Sequence, residues 1–511
     1  MENFPILSFL IWWPVIGAVL VLAASRFSDQ WVKAGAAAVA FIEFAVSWSM
    51  FFSFDTATAA MQFTESIPWV TEYKINYSLG IDGFSLALIL LASFTSVVVV
   101  LAGSHSIKKH LAQYMATFLI TQAFIVGVFC ATDAILFYVF WEAMLVPMYL
   151  SIGMWGGKRR VYASTKFFLY TFLASVLMLI AFLYLHSKTG TFVIQDFYAH
   201  SSSAILNLST MTQYFLFFAF LFSFAVKIPL WPLHTWLPDA HTEAPAGGSV
   251  VLAALMLKLG IYGFIRLLMP ITPFACQHFD WLMIALALVA IVYIGFVSIA
   301  QTDMKKLIAY SSIAHMGFAV LGCFMVYRIM QTTGQFEDAY MSIEGAVVQM
   351  ISHAFGSGAL FLGVGALQHR MHTRVISDFG GVAKSMPILA ALLMVFAMSN
   401  VGLPGTAGFV GEFMVILSAF KAEFWVAFVA TTSVVLSAGY TLWMFKRVFF
   451  GPIVNEGVEN LTDLSGSERL LFYMMLAGVF SVGLYPQWLL NILHASVKHL
   501  LTESIYWRGM M

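Results

Sequence analysis

The sequence predicts an all-α polytopic membrane protein of about fourteen transmembrane helices, built as two inverted five-helix repeats with a broken helix in each. Three observations carry this reading. Of 511 residues, 61% are hydrophobic and only 10% charged, against roughly 25% charged in soluble chains. The apolar residues form long blocks, such as 250–257, 284–297 and 388–398, too continuous for the alternating strands of a membrane barrel. Two long apolar stretches are interrupted by Pro and Gly at corresponding places, and non-helical backbone at membrane depth survives only where it is buried or lines a hydrated cavity.

A bilayer core takes about 20 mostly apolar residues per helix. By that measure the first eight spans fall at 6–24, 34–52, 84–102, 114–131, 134–150, 167–185, 213–229 and 247–265, and the rest at 281–300, 307–327, 343–368, 387–419, 425–445 and 470–493. The start of the chain reads as a retained helix rather than a signal peptide, because Glu2 is its only early charge and Arg26 follows the apolar stretch. The longest polar gaps, 53–83 and 186–212, both follow even-numbered spans.

Loops after odd-numbered spans hold sixteen Lys and Arg, Lys305 and Arg374 among them, whereas those after even-numbered spans hold five, including Arg266 and Arg328. The tail adds Lys498 and Arg508. Positive loops stay on the cytoplasmic or matrix side, so both termini are expected on the opposite, periplasmic side. Lys227 and Lys258 belong to no loop. With 25 basic and 25 acidic residues, the chain gives no sign of nucleic-acid binding; membrane lipids are its expected surroundings. Cys130, Cys276 and Cys323 lack CxxC spacing, which supports neither a disulfide framework nor a metal or iron–sulfur site.

Span 7 runs into Lys227, Pro229 and Pro232. Proline lacks the helical N–H and clashes with the preceding turn, so the carbonyls of Ala225 and Ile228 are expected to be free beside Lys227. Span 12 is interrupted by Gly402, Pro404 and Gly405 ahead of Glu412. Taking spans 4–8 and 9–13 as five-helix units, these are the fourth member of each, and an odd helix number inverts the second unit. Matching breaks in inverted halves point to a transport site. The organisation is then 1–113 as a three-helix segment, 114–270 and 271–451 as the repeats, and 452–511 as span 14 and the tail.

An ionisable group at mid-bilayer costs about 2.5–3.5 kcal/mol on insertion scales and by default faces a bundle interior or a wet cavity. Glu142 is about nine residues into span 5, roughly 13 Å deep at 1.5 Å per residue. Lys258, His315, His353 and Glu412 fall at similar depth in spans 8, 10, 11 and 12. Any one could be a structural ion pair or a hydrogen-bonded packing residue. Together with Lys227, six such groups on six spans suit a proton path, in which His titrates near neutrality unaided. Glu43 in span 2 is a weaker case, expected to face a neighbouring subunit.

At these residues the chain resembles the antiporter-like subunits of respiratory complex I, the proton-translocating NADH–quinone oxidoreductase. The segments 137–149 (FYVFWEAMLVPMY), 226–245 (VKIPLWPLHTWLPDAHTEAP) and 301–317 (QTDMKKLIAYSSIAHMG) carry the resemblance, which extends over nearly the whole chain. Glu412, where paralogues usually carry Lys, and the absence of a long lateral helix point to the M-type branch, equivalent to mitochondrial chain 4. The resemblance implies that Glu142 partners Lys227, that Lys258 is the central lysine, that His315 and His353 link the halves, and that Glu412 serves the second half-channel. It implies no redox cofactor in this chain, with NADH, FMN, iron–sulfur clusters and quinone handled by partner subunits, and L-type and N-type paralogues as neighbours. It also implies a bacterial cytoplasmic membrane, or the mitochondrial inner membrane if organellar.

The expected mechanism is a relay. Glu142 near Lys227 favours the charged lysine; separating the pair would push a proton toward Lys258, then through the histidines and water to Glu412 and outward. A subunit of a multi-subunit sodium/proton antiporter, a subunit of an energy-converting hydrogenase, and a non-pumping structural scaffold remain as alternatives. A scaffold would be expected to have lost some of Glu142, Lys227, Lys258 or Glu412, and this chain keeps all four.

Overall fold

Helices form wherever the sequence offers an apolar run with a start signal. The computed structural model describes residues 4–198, 208–453 and 455–504, so Arg508 lies outside the described residues. The helices are α1 Ile6–Ala24, α2 Asp29–Ser53, α3 Gly83–Ser106, α4 Leu111–Cys130, α5 Ala134–Trp155, α6 Arg160–Thr189, α7 Thr210–Lys227 and α8 Ala246–Ile271. They continue with α9 Asp280–Ile299, α10 Met304–Thr332, α11 Phe336–Met371, α12 Pro387–Val401, α13 Ala407–Ala422, α14 Phe424–Phe450, α15 Gly466–Leu484 and α16 Gln487–His499. Side-chain caps satisfy the first free N–H groups: Asp82 for α3, Asp133 for α5, Asp303 for α10, and a Ser465–Glu468 capping box for α15. Each such cap contributes about 1 kcal/mol.

Burial sorts the helices into a core and a rim. The apolar stretch of α8 is wholly buried and those of α3, α10 and α11 nearly so, whereas only 33% of that of α2 is covered. The rim helices turn Val19, Phe215, Tyr293 and Val435 outward, as a lipid-facing surface requires. The ionisable groups of interest sit on or against the core helices.

The same construction occurs twice, at opposite ends of the bundle. Asp133 caps α5 and pairs with Val193 beyond α6; Asp303 caps α10 and pairs with Val375 beyond α11. Ala134 N–H donates to Phe192 O and Ile194 N–H to Thr132 O, at 2.8 and 2.9 Å. Met304 N–H and Ile376 N–H repeat the pattern on Arg374 O and Thr302 O, at 3.0 and 2.9 Å.

Several expectations need correction. The polar gap 53–83 holds an antiparallel hairpin, β1 Gln62–Val70 and β2 Ile75–Ile81, turned by Lys74 at φ 55°. Its Glu65 accepts from the Leu7 and Ser8 N–H groups at the start of α1. The bundle end bearing this hairpin is the hairpin face; the opposite end is the basic face. Span 12 is broken where expected, into α12 and α13 on either side of Gly402–Thr406. Span 14 ends at Leu484, and Pro486 redirects the chain into α16. That helix buries Leu489, Ile492, Leu493, Ser496 and Val497, one stripe at helical spacing. It packs across the start of α3, where Gly83 N–H donates to Ser496 Oγ at 2.9 Å.

Two residues assigned to loops are also buried. Arg266 lies within α8 and pairs with Asp82 at 2.8 Å, beside the Tyr262 and Ser85 hydroxyls. Lys305 lies within α10 and donates to Ala244 O at 2.8 Å. At the basic face, Arg374 bridges Asp303 and Glu243, at 2.6 and 3.0 Å. Glu43 faces inward, fully buried, with Gln122 of α4 beside its carboxylate. The expectation that it turns toward a neighbouring subunit is not met.

Candidate functional site

Glu142 sits at a kink. The α5 rod divides at Met144, because Pro147 cannot supply the N–H that Ala143 O would accept. Glu142 Oε1 is buried without a hydrogen-bond partner among the described residues, while the Ser175 hydroxyl and the Lys227 ammonium both act on the carboxylate. Lys227, 1% exposed, is the last residue of α7. Its Nζ lies 4.6 Å from the centre of the Trp141 ring and has no hydrogen bond among the described residues. Glu142 and Lys227 are therefore neighbours without being bonded, and the ammonium lies over the face of the Trp141 indole.

The break after Lys227 is better satisfied than expected. Leu230 N–H donates to Ala225 O and the Trp236 indole to Val226 O, both at 2.8 Å, so the Ala225 carbonyl is not free. Pro229, Pro232 and a cis Trp231–Pro232 bond carry the chain to a short helix, Trp236–Glu243. Gly260 of α8 meets Phe224 and Ile228 so closely that a Cβ there would lie 2.5 Å from the Ile228 side chain. The turn bearing Lys258 is thereby pressed against the end of α7.

Lys258 is fully buried and doubly bonded. Its Nζ is 2.5 Å from Ala253 O and 2.7 Å from His353 Nδ1. A π-helical turn at Leu252–Met256 releases that carbonyl five residues back. Such turns inside α-helices frequently occur at functional sites. The run VVLAALMLKLG contains no Pro, and nothing in its spacing signals the distortion.

From Lys258 the groups form a row. The rings of His353 and His315 are 5.9 Å apart between centres. His315 Nδ1 is 2.7 Å from Glu412 Oε1, which also accepts from Gln349 Nε2 at 3.0 Å. Both histidines use Nδ1 for these bonds, and each leaves a buried Nε2 without a partner among the described residues. Transfer between the two rings would run between these Nε2 atoms by way of water.

Glu412 is held by the second break. Gly402 and Gly405 adopt φ of +85° and +89° around Pro404, a region that favours glycine. A Cβ on Gly408 would stand 1.9 Å from Ser399 O, and one on Gly411 2.6 Å from Gln349 N. Close packing thus fixes α13, and Glu412 with it, against α11. The sequence reading missed Gln349, Trp141 and Ser175, which carry no charge. It also missed His241, fully buried and stacked 4.4 Å from Phe361.

The family described as "NADH:quinone oxidoreductase/Mrp antiporter, TM" matches residues 131–437, and "NADH-ubiquinone oxidoreductase chain 4, amino terminus" matches residues 35–132. The chain is similar to NADH-quinone oxidoreductase subunit M of Rhodobacter capsulatus, 43% identical over 98% of this chain and 96% of that one. It is 38% identical to NADH-ubiquinone oxidoreductase chain 4 of Marchantia polymorpha, over 98% and 97%. Among solved structures it is similar to a chain of respiratory complex I from Thermus thermophilus with bound NADH, with TM-score 0.84, 29% identity, and 97% and 100% of the two chains covered. A chain of the Mrp complex from Dietzia sp. DQ12-45-1b shares the fold, with TM-score 0.83 and 19% identity over 99% of each chain.

Proposed function

The chain belongs to the subunit M, or chain 4, family of NADH-quinone oxidoreductase, and from that premise we propose that it moves protons through the row linking Glu142 and Lys227 to Glu412. It is an antiporter-like membrane-arm subunit of that enzyme, multi-pass in a bacterial or organellar membrane. The basic face is read as cytoplasmic, or matrix in an organelle, with the hairpin face periplasmic. Residues 114–270 and 271–451 are read as the inverted halves. NADH, FMN, iron–sulfur and quinone chemistry belong to partner subunits, with L-type and N-type paralogues beside this chain.

The observation that carries the reading is the alternation of donors and acceptors from Lys258 to Glu412. A proton on Lys258 Nζ passes to His353 Nδ1, and the imidazolium releases the proton on its Nε2. His315 takes a proton at Nε2, gives one up at Nδ1, and Glu412 Oε1 accepts it. Each imidazole then carries the opposite tautomer and must reset before the next proton. Glu142 and Lys227 supply the switch. When the carboxylate moves away, the buried ammonium loses its opposite charge and its proton is driven to Lys258. Moving one charge against 100 mV takes about 2.3 kcal/mol, within reach of such a change, since one pKa unit is about 1.4 kcal/mol.

The test is Lys227→Ala in native membranes, with assembly confirmed and NADH–quinone turnover and proton pumping measured together. Loss of both in the intact complex is the expected result. Wild-type values for both would make Lys227 a structural charge and remove it from the path.

A further inference from the structure

Glu344 and His494 form the one buried-to-surface acid–imidazole pair that the relay leaves unused among the described residues. Glu344 lies on α11, eight residues past Phe336, or about 12 Å from that end by helical rise. It is only 8% exposed, and its Oε1 is 2.9 Å from His494 Nδ1. His494 stands on α16 with 58% of its side chain exposed, the Tyr340 ring beside it at 5.7 Å. One group is sealed beneath the hairpin face, and the other opens from it.

The seam between α11 and α13 runs from Glu412 toward the helix turn that bears Glu344. Gln349, which donates to Glu412, is five residues from Glu344 on the same helix, about 7.5 Å along its axis. A Cβ on Gly345 would lie 2.8 Å from Met414 Cβ and 3.2 Å from Val415 N. Gly345 thus lies in the seam one turn from Gln349, and Glu344, its neighbour in sequence, turns from there to His494 of α16. Beyond it, Lys421 and Asp338 close the seam with an ion pair at 2.5 Å.

We propose that Glu344 and His494 are the exit pair of the proton path, taking the proton from Glu412 and delivering it to solvent at the hairpin face. This rests on the relay reading above. The step conserves charge and atoms. Protonated Glu412 gives its proton through water to the Glu344 carboxylate, Glu344 passes it to His494 Nδ1, and the imidazolium releases the proton on Nε2 to bulk water. The competing role is mechanical, with the pair serving only to pin α16 to α11.

Glu344→Gln separates the two, because the amide can still hydrogen-bond His494 Nδ1 but the side chain cannot hold a proton. In native membranes with assembly confirmed, we expect Glu344→Gln to lower proton pumping about tenfold, a modest share of what positioned proton transfer contributes. Glu344→Asp should restore most of it. Wild-type pumping in Glu344→Gln overturns the proposal, and so does an equal failure of Gln and Asp through loss of assembled complex. Lys227→Ala measured in parallel keeps the two readings apart. If it abolishes pumping while Glu344→Gln does not, the exit alone is wrong; if Lys227→Ala pumps normally, the relay itself fails.

Discussion

Lys258 and His353 are joined nitrogen to nitrogen at 2.7 Å, across helices 95 residues apart in sequence. A charged lysine can only donate, so with Lys258 protonated His353 Nδ1 accepts and the neutral ring carries its proton on Nε2. A structural partner for a buried lysine would more naturally be a carboxylate. An imidazole can take the proton over.

His353→Gln should separate contact from transfer. Glutamine can still accept from Lys258 through its amide oxygen but cannot relay a proton. With assembly intact, pumping and coupled NADH–quinone turnover should fall about tenfold or more, given the 10²–10⁴ that positioned proton transfer supplies. Turnover and vesicle acidification measured together check this, and wild-type values for both would remove His353 from the path.

Gln349→Leu should weaken the far end of the row without breaking it. Glu412 would keep His315 but lose the 3.0 Å bond from the amide. A hydrogen bond to a charged group is worth about 1.5–3 kcal/mol. Pumping should therefore drop less than in Glu412→Gln, and the ranking of the two variants in one vesicle assay is the check.

Gly408→Ala should destabilise the protein, because its Cβ would strike the Ser399 carbonyl at 1.9 Å on a backbone held by the adjacent break. Overpacking of this kind costs about 1–3 kcal/mol. Gly466 has nothing within 4 Å of its Cβ position, so Gly466→Ala should leave stability unchanged. Thermal release of the subunit from purified complex, compared for both variants, tests the pair.

Much of this was legible because membranes are intolerant of charge. Glu142, Lys227, Lys258, His315, His353 and Glu412 stood out where a solvated surface would have hidden them, and Pro229, Pro232, Gly402 and Pro404 marked the breaks. What escaped has no such contrast. Gln349 and Ser175 are neutral polar residues common in helices, and the π-helical turn at Leu252–Met256 arises from packing rather than from a breaker. The hairpin Gln62–Ile81 lies in a polar gap too mixed in composition to read as strands. The end of span 14 is hidden in the sequence because the apolar residues of α16 follow those of α15 with only Tyr485 and Pro486 between them. Arg266 and Lys305 read as loop charges because helix ends cannot be placed to within a turn from one sequence.

The most direct test of the relay is Lys258→Met in native membranes, which keeps the bulk of the side chain and removes the proton. With assembly confirmed, NADH-driven pumping and turnover should both collapse. Assembled complex that pumps at the wild-type rate would contradict a proton path through Lys258 and with it the account of the row.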